Sequence, residues 1–287
     1  MKLFEDIREK IIELEKKAHE IKISEKQLAS MIDHTNLKPF ATKKDIKKLV
    51  DEAIRYGFFG VCVNPSRVKD ARRYLNDLKN DEIKVVSVVG FPLGATSIEM
   101  KVSETKYALN HGADEIDMVI NIGAARENNF SLIEEEISSV VSAAENKPVK
   151  VIIETAYLTF EEEAEICKIA KNCDAAFVKT STGFGPLGAT PIDVWVMRKS
   201  VGKDVGVKAA GGIRNFSDAF RMIAAGATRL GTSRGPRIIE SLRKASPTFH
   251  FDFKRPEELC PGCIINLSLI PISLQKYYQE LCNLCKK

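Results

Sequence analysis

Short apolar runs closed by a polar residue or glycine recur along the chain, and each is followed by an amphipathic stretch. Eight stand out: MIDHTN, GVCVN, KVVSVVG, EIDMVIN, VKVIIET, AAFVKTST, GVKAAGG and RLGTS. Markers near their ends, Asp33, Asn64, Gly90, Asp117, Glu154, Lys179, Lys208 and Gly231, stand 23 to 37 residues apart. Each interval has room for one strand–helix–strand unit. Helical stretches fill the intervals, such as TSIEMKVSETKYALNHG, with Gly112 as a C-terminal cap, and NFSDAFRMIAAG, with Asn215 as an N-cap. Eight alternating units over about 200 residues predict a (β/α)8 TIM barrel in preference to an open sheet.

The two ends break the pattern. Phe4, Ile7, Ile11, Leu14, Ala18 and Ile21 form a heptad-like stripe with charges elsewhere, which suits either a helix packed on the barrel or a helix that docks a partner. SEKQ at Ser24–Gln27 has the form of a capping box that starts a fresh helix. The expected organisation is an N-terminal amphipathic helix over 1–23, the barrel over 24–245 and a C-terminal cysteine-rich extension over 246–287.

Composition narrows the class. The 287 residues are 44% hydrophobic and 29% charged, with 43 Lys and Arg against 39 Asp and Glu. A net charge of +4 suits a small anionic ligand and falls short of a nucleic-acid footprint. No stretch approaches the roughly 18 apolar residues of a membrane span, and MKLFEDIREK lacks the apolar core of a signal peptide. A cytoplasmic protein is expected. Seven cysteines, without a secretion signal, are expected to be reduced thiols.

The sixth run raises a chemical question, because AAFVKTSTGFG carries apolar residues straight into Lys179. Strand C-terminal ends converge on the catalytic face of such a barrel, so Lys179 and Lys208 end adjacent strands on that face. One lysine alone reads as a snorkelling or salt-bridged surface group. Two ammonium groups close together disfavour each other's charge, so one can be a neutral amine, the nucleophile of Schiff-base chemistry. Asp117, across the mouth, is a candidate proton carrier, although Asp114 and Glu115 beside it also suit a solvated turn. Loops after the sixth, seventh and eighth strands bring Gly183, Gly211, Gly212, Gly231 and Ser233, whose backbone N–H groups suit a phosphate. The same glycines also serve simply to turn the loops.

DHTNLKP at 33–39, VCVNP at 61–65, EIDMVINIGA at 115–124, FVKTSTGF at 177–184, VKAAGGIR at 207–214 and LGTSRG at 230–235 together resemble the motifs of the deoxyribose-phosphate aldolase family. The resemblance spans about residues 24 to 245. It implies a class I aldolase on a (β/α)8 barrel that reversibly cleaves 2-deoxy-D-ribose 5-phosphate to acetaldehyde and D-glyceraldehyde 3-phosphate without a metal or organic cofactor. By the same resemblance Lys179 forms the Schiff base, Lys208 depresses its pKa, and Asp117 acts as acid and base through a bound water. Asp33 and Thr35 match polar residues lining the substrate end, and the glycines with Ser233 match the phosphate cradle. The implied partner is a small phosphorylated sugar, and a homo-oligomer is expected.

The chain departs from the family pattern in places. Some members carry a further lysine where this chain has Phe184, which leaves phosphate charge to Arg214 or Arg234. Beyond about residue 245 the resemblance ends. There Cys260, Cys263, Cys282 and Cys285 have the spacing C-x2-C-x18-C-x2-C, which suits a structural zinc ion. An iron–sulfur centre and unbound or redox-active thiols are the other readings. Two further functions stand beside the aldolase: a scaffold acting through its terminal extensions, and another phosphosugar lyase or isomerase on the same barrel.

Overall fold

The structure, a computed structural model, describes residues 2–244, with side chains from residue 9 onward. The four tail cysteines and the whole of the expected C-terminal extension lie outside the described residues, as do the side chains of Phe4 and Ile7. Eight strands, β1 (Ile32–Asn36), β2 (Gly60–Val63), β3 (Lys84–Val89), β4 (Glu115–Val119), β5 (Val149–Ile152), β6 (Phe177–Lys179), β7 (Gly206–Ala210) and β8 (Arg229–Thr232), correspond one to one with the eight apolar runs. All pair in parallel, and β1 closes on β8, giving the (β/α)8 barrel expected from the sequence.

Helices α1 (Lys2–Glu20) and α2 (Glu25–Ala29) precede the barrel. Those that follow are α3 (Lys43–Tyr56), α4 (Pro65–Asp77), α5 (Ile98–Asn110), α6 (Ile122–Arg126), α7 (Phe130–Ala143), α8 (Phe160–Asn172), α9 (Pro191–Val201), α10 (Phe216–Ala225) and α11 (Gly235–Lys244). Their starts are specified locally. Ser24 and Gln27 close the expected capping box, and the Asn215 side chain accepts from Asp218 N–H at the start of α10. Gly112 adopts φ 99° just past the end of α5.

Outward strand residues such as Val61, Val85, Ile116 and Val178 are buried against the helix ring in one continuous core, each contributing about 1.5–3 kcal/mol by leaving water. The stripe of α1 joins it. Leu14 and Ala18 are buried where α1 packs on α9 and α10, Glu15 pairs with Arg221 at 3.1 Å, and Lys10 Nζ sits 5.2 Å from the Trp195 ring centroid. This part of the stripe thus covers the barrel itself, the first of its two readings, and is not offered to a docking partner. Among the described residues no helix is long and apolar enough to cross a membrane.

Candidate active site

Period-two alternation sends every second strand residue into the barrel interior. Around β2 and β3 this interior is apolar, with Cys62, Val86 and Val88 clustered against Leu37. On the other strands it is ionic: Asp33, Glu115, Asp117, Lys150, Lys179, Lys208 and Arg229 are all buried. The sheet register places Lys179 opposite Lys208 and Asp117 opposite Lys150.

Asp117 is the hub. Its Oδ2 accepts from both Lys179 Nζ and Lys208 Nζ at 2.8 Å, and its Oδ1 accepts from Lys150 Nζ at 2.7 Å. Lys150 also pairs with Glu115 at 2.6 Å, Lys208 with Asp33, and Arg229 with Asp33 at 3.0 Å and Glu115 at 3.2 Å. Burial by itself would raise the Asp117 carboxyl, but Lys150, Lys179 and Lys208 outweigh it and hold the group well below the usual carboxylate range. Asp33 follows the same logic with Lys208 and Arg229. Burial opposes the Lys208 ammonium, yet Asp117 and Asp33 together raise it above the ordinary lysine value, so Lys208 stays charged. Four cations therefore face three carboxylates, and one positive charge in the cluster is uncompensated.

A cavity of about 660 Å³ opens above this cluster at the C-terminal ends of the strands. Lys179 reaches it from the cluster, and Thr35, Gly183, Gly211, Gly212, Arg214, Gly231 and Ser233 line it. Gly211 needs to be glycine on two counts: its φ is +87°, and a Cβ there would lie 2.9 Å from Gly188 Cα. At Gly231 a Cβ would sit 3.1 Å from Lys208 Cε, so the missing side chain is what lets Lys208 extend beside β8. Lys38, Lys48 and Arg234 add cationic groups to the same wall, which suits an anionic ligand. Phe184, 55% exposed, lines it too and meets Phe91 edge to face at 5.3 Å between ring centres.

Two acidic residues lie deeper in the barrel than the sequence alone conveys. Asp33, expected at the substrate end, is fully buried inside the barrel as the partner of Lys208 and Arg229. Glu115, which also suited a solvated turn, is a buried strand residue bonded to Lys150 and Arg229. Lys150 and Arg229 stand out in no motif of the sequence, although each shares the inward parity of its strand. Arg229 is buried with its guanidinium over the Phe59 ring. Among the described residues no group of three or more His, Cys, Asp or Glu is arranged to hold a metal ion.

Residues 27–239 match the family model described as DeoC/LacD family aldolase. A deoxyribose-phosphate aldolase of Thermococcus gammatolerans is 59% identical over 220 residues, which cover 76% of this chain and 97% of that protein. One from Thermococcus kodakarensis is 57% identical over 220 residues, 76% of this chain and 98% of that protein. The tetrameric deoxyribose phosphate aldolase of Aeropyrum pernix superposes with a TM-score of 0.75 at 32% identity, covering 82% of this chain and 98% of that one.

Proposed function

Because the chain belongs to the DeoC/LacD family of aldolases, we propose that it reversibly cleaves 2-deoxy-D-ribose 5-phosphate to acetaldehyde and D-glyceraldehyde 3-phosphate through a Schiff base on Lys179. The observation that carries this reading is that Lys179, alone of the three clustered lysines, lines the cavity while its Nζ shares one Asp117 oxygen with Lys208.

Imine formation needs an amine without its proton. Three carboxylates balance Lys150, Lys208 and Arg229, so release of the Lys179 proton leaves the buried cluster neutral overall. The amine adds to the C1 aldehyde, and loss of water gives a protonated imine that acts as an electron sink. Asp117, through a bound water, takes the C3 hydroxyl proton, and the C2–C3 bond breaks to release D-glyceraldehyde 3-phosphate and leave an enamine. Protonation at C2 and hydrolysis release acetaldehyde. The fixed Asp117 anion stabilises the iminium charge. The Lys208 ammonium, bonded to Asp117 at 2.8 Å, holds that carboxylate in place and disfavours a second charge on Lys179. The glycine loops and Arg214 hold the phosphate at a set distance from Lys179, so that remote binding orients the reacting carbon. A homo-oligomer belongs to the same reading and is supported by the tetrameric Aeropyrum pernix relative; its native mass in solution tests it.

Incubation with acetaldehyde and borohydride, followed by peptide mapping, tests the chemistry. Label on Lys179, with turnover of the phosphorylated sugar abolished in Lys179→Leu, is the expected outcome. Label on Lys208 alone overturns the assignment of roles, and absence of label overturns the Schiff-base reading.

A further inference from the structure

Past Ile152 the fifth strand loses regular form, yet its backbone stays tied to β6. Ile153 N–H donates to the Lys179 carbonyl and Thr155 N–H to the Thr180 carbonyl, both at 3.0 Å. Glu154, between them, is held in left-handed backbone at φ 53°, ψ 66°, which non-glycine residues adopt only under constraint. Its side chain is buried and turns to the loop that follows Lys179. Glu154 Oε2 accepts from the Thr182 N–H at 3.2 Å and from the Thr182 hydroxyl. That hydroxyl oxygen in turn accepts from the Phe184 N–H at 3.0 Å. The direction of the chain is determined, since a backbone N–H can only donate and the Thr182 hydrogen must therefore point at the carboxylate.

Two further features mark Glu154 as more than filler. Its Oε1 is buried without a hydrogen-bond partner, a state that proteins rarely keep without a reason. Gly185 lies flat against the same carboxylate, and a Cβ there would sit 3.0 Å from Glu154 Oε1. Backbone strain, an unpaired buried oxygen and a tightly fitted glycine thus converge on one side chain beside the cavity loop.

We propose that Glu154 is a positioning residue that clamps the Thr182–Gly185 loop by engaging Thr182 and, through it, the Phe184 N–H, so that the Gly183 N–H between them faces the anionic end of the substrate while Lys179 stays aimed at the carbonyl. The inference rests on the aldolase reading of the same site and deepens it. Thr182, Gly183 and Phe184 line the cavity, and Glu154 acts through them. Burial raises its carboxyl above the ordinary range, opposed by the Thr182 bonds and by Lys179. Losing the clamp weakens capture of the phosphorylated sugar more than it slows imine formation with acetaldehyde, which has no anionic end.

The test combines steady-state kinetics on 2-deoxyribose 5-phosphate, borohydride trapping with acetaldehyde and thermal melts. Glu154→Gly removes the carboxylate at a residue type that accepts left-handed backbone, so a rise in KM reports the lost clamp and not added strain. KM is expected to rise about tenfold or more, with the trapping rate falling far less than kcat/KM. Glu154→Gln, which keeps an oxygen for Thr182, should recover most of the KM. Gly185→Ala, which pushes a methyl into the carboxylate, should raise KM in the same way. Combined with Glu154→Gly it should add little, because the methyl then has room. If Glu154→Gly does not fold, Gly185→Ala carries the test alone. A wild-type KM in Gly185→Ala, an additive double variant, or trapping that falls as far as kcat/KM overturns the inference. A wild-type protein that neither traps acetaldehyde nor cleaves the sugar refutes the aldolase reading instead.

Discussion

Replacing Lys208 by methionine removes one charge from the buried cluster while nearly preserving volume. In the intact protein Lys179 and Lys208 share one carboxylate oxygen at 2.8 Å each. Their nitrogens are therefore at most twice that distance apart, about 5.6 Å, and at an effective dielectric of about 20 the mutual repulsion is no less than about 3 kcal/mol. Since about 1.4 kcal/mol corresponds to one pH unit, the half-maximum of imine trapping should move by about two units. The sign follows from the charge count. With Lys208 gone, Lys150, Arg229 and a protonated Lys179 balance Asp33, Glu115 and Asp117, so the Lys179 proton is held more tightly and trapping shifts to higher pH. Trapping rates with acetaldehyde and borohydride from pH 5 to 10, alongside melts that show a folded barrel, measure the effect. A folded Lys208→Met variant whose trapping midpoint stays within about half a unit of wild type would refute the electrostatic account.

Asp193 offers a pH test outside the site. Burial pushes its carboxyl up to about 6, against the bonds from Thr190 and Thr155, and burial with Asp193 beside it holds Glu163 well above the usual range. A raised acid stabilises the fold fully below its unfolded value near 4, and that contribution fades as pH rises through about 6, a loss of about 3 kcal/mol. Melts of Asp193→Asn should therefore show a shallower decline between pH 4 and 6 than wild type, the remainder belonging to Glu163, and identical slopes would contradict the assignment. Phe184→Lys places an ammonium on the cavity wall where the side chain is already exposed. KM for the phosphorylated sugar should fall about five- to tenfold at low salt and the gain should shrink at high salt; a salt-independent KM would show that the wall does not meet the phosphate.

Much of this protein was legible in the chain because local rules decided it. Eight apolar runs became eight strands, since burial against a helix ring needs a continuous outward face at each strand and little else. The caps at Ser24 and Asn215 depend on residues only three apart. Lys179, Lys208 and Asp117 could be singled out because motifs carry them, but their geometry could not. Whether a lysine at a strand end snorkels or is paired depends on what the closed ring places opposite it. Closure of β1 on β8 brought Asp33 to Lys208 across 175 residues and turned an expected substrate contact into a buried counter-ion. The same closure recruited Lys150, Glu115 and Arg229, each inconspicuous in an apolar run, into one charge network. Glu154 shows the limit most clearly: it reads as an ordinary strand-end glutamate, and only the pairing of β5 with the backbone of Lys179 and Thr180 turns its carboxylate onto the Thr182 loop. Sequence determines which residues can be buried, through periodicity and propensity. The partner of a buried charge is determined by strands distant in sequence, because Coulomb energy depends on separation in space.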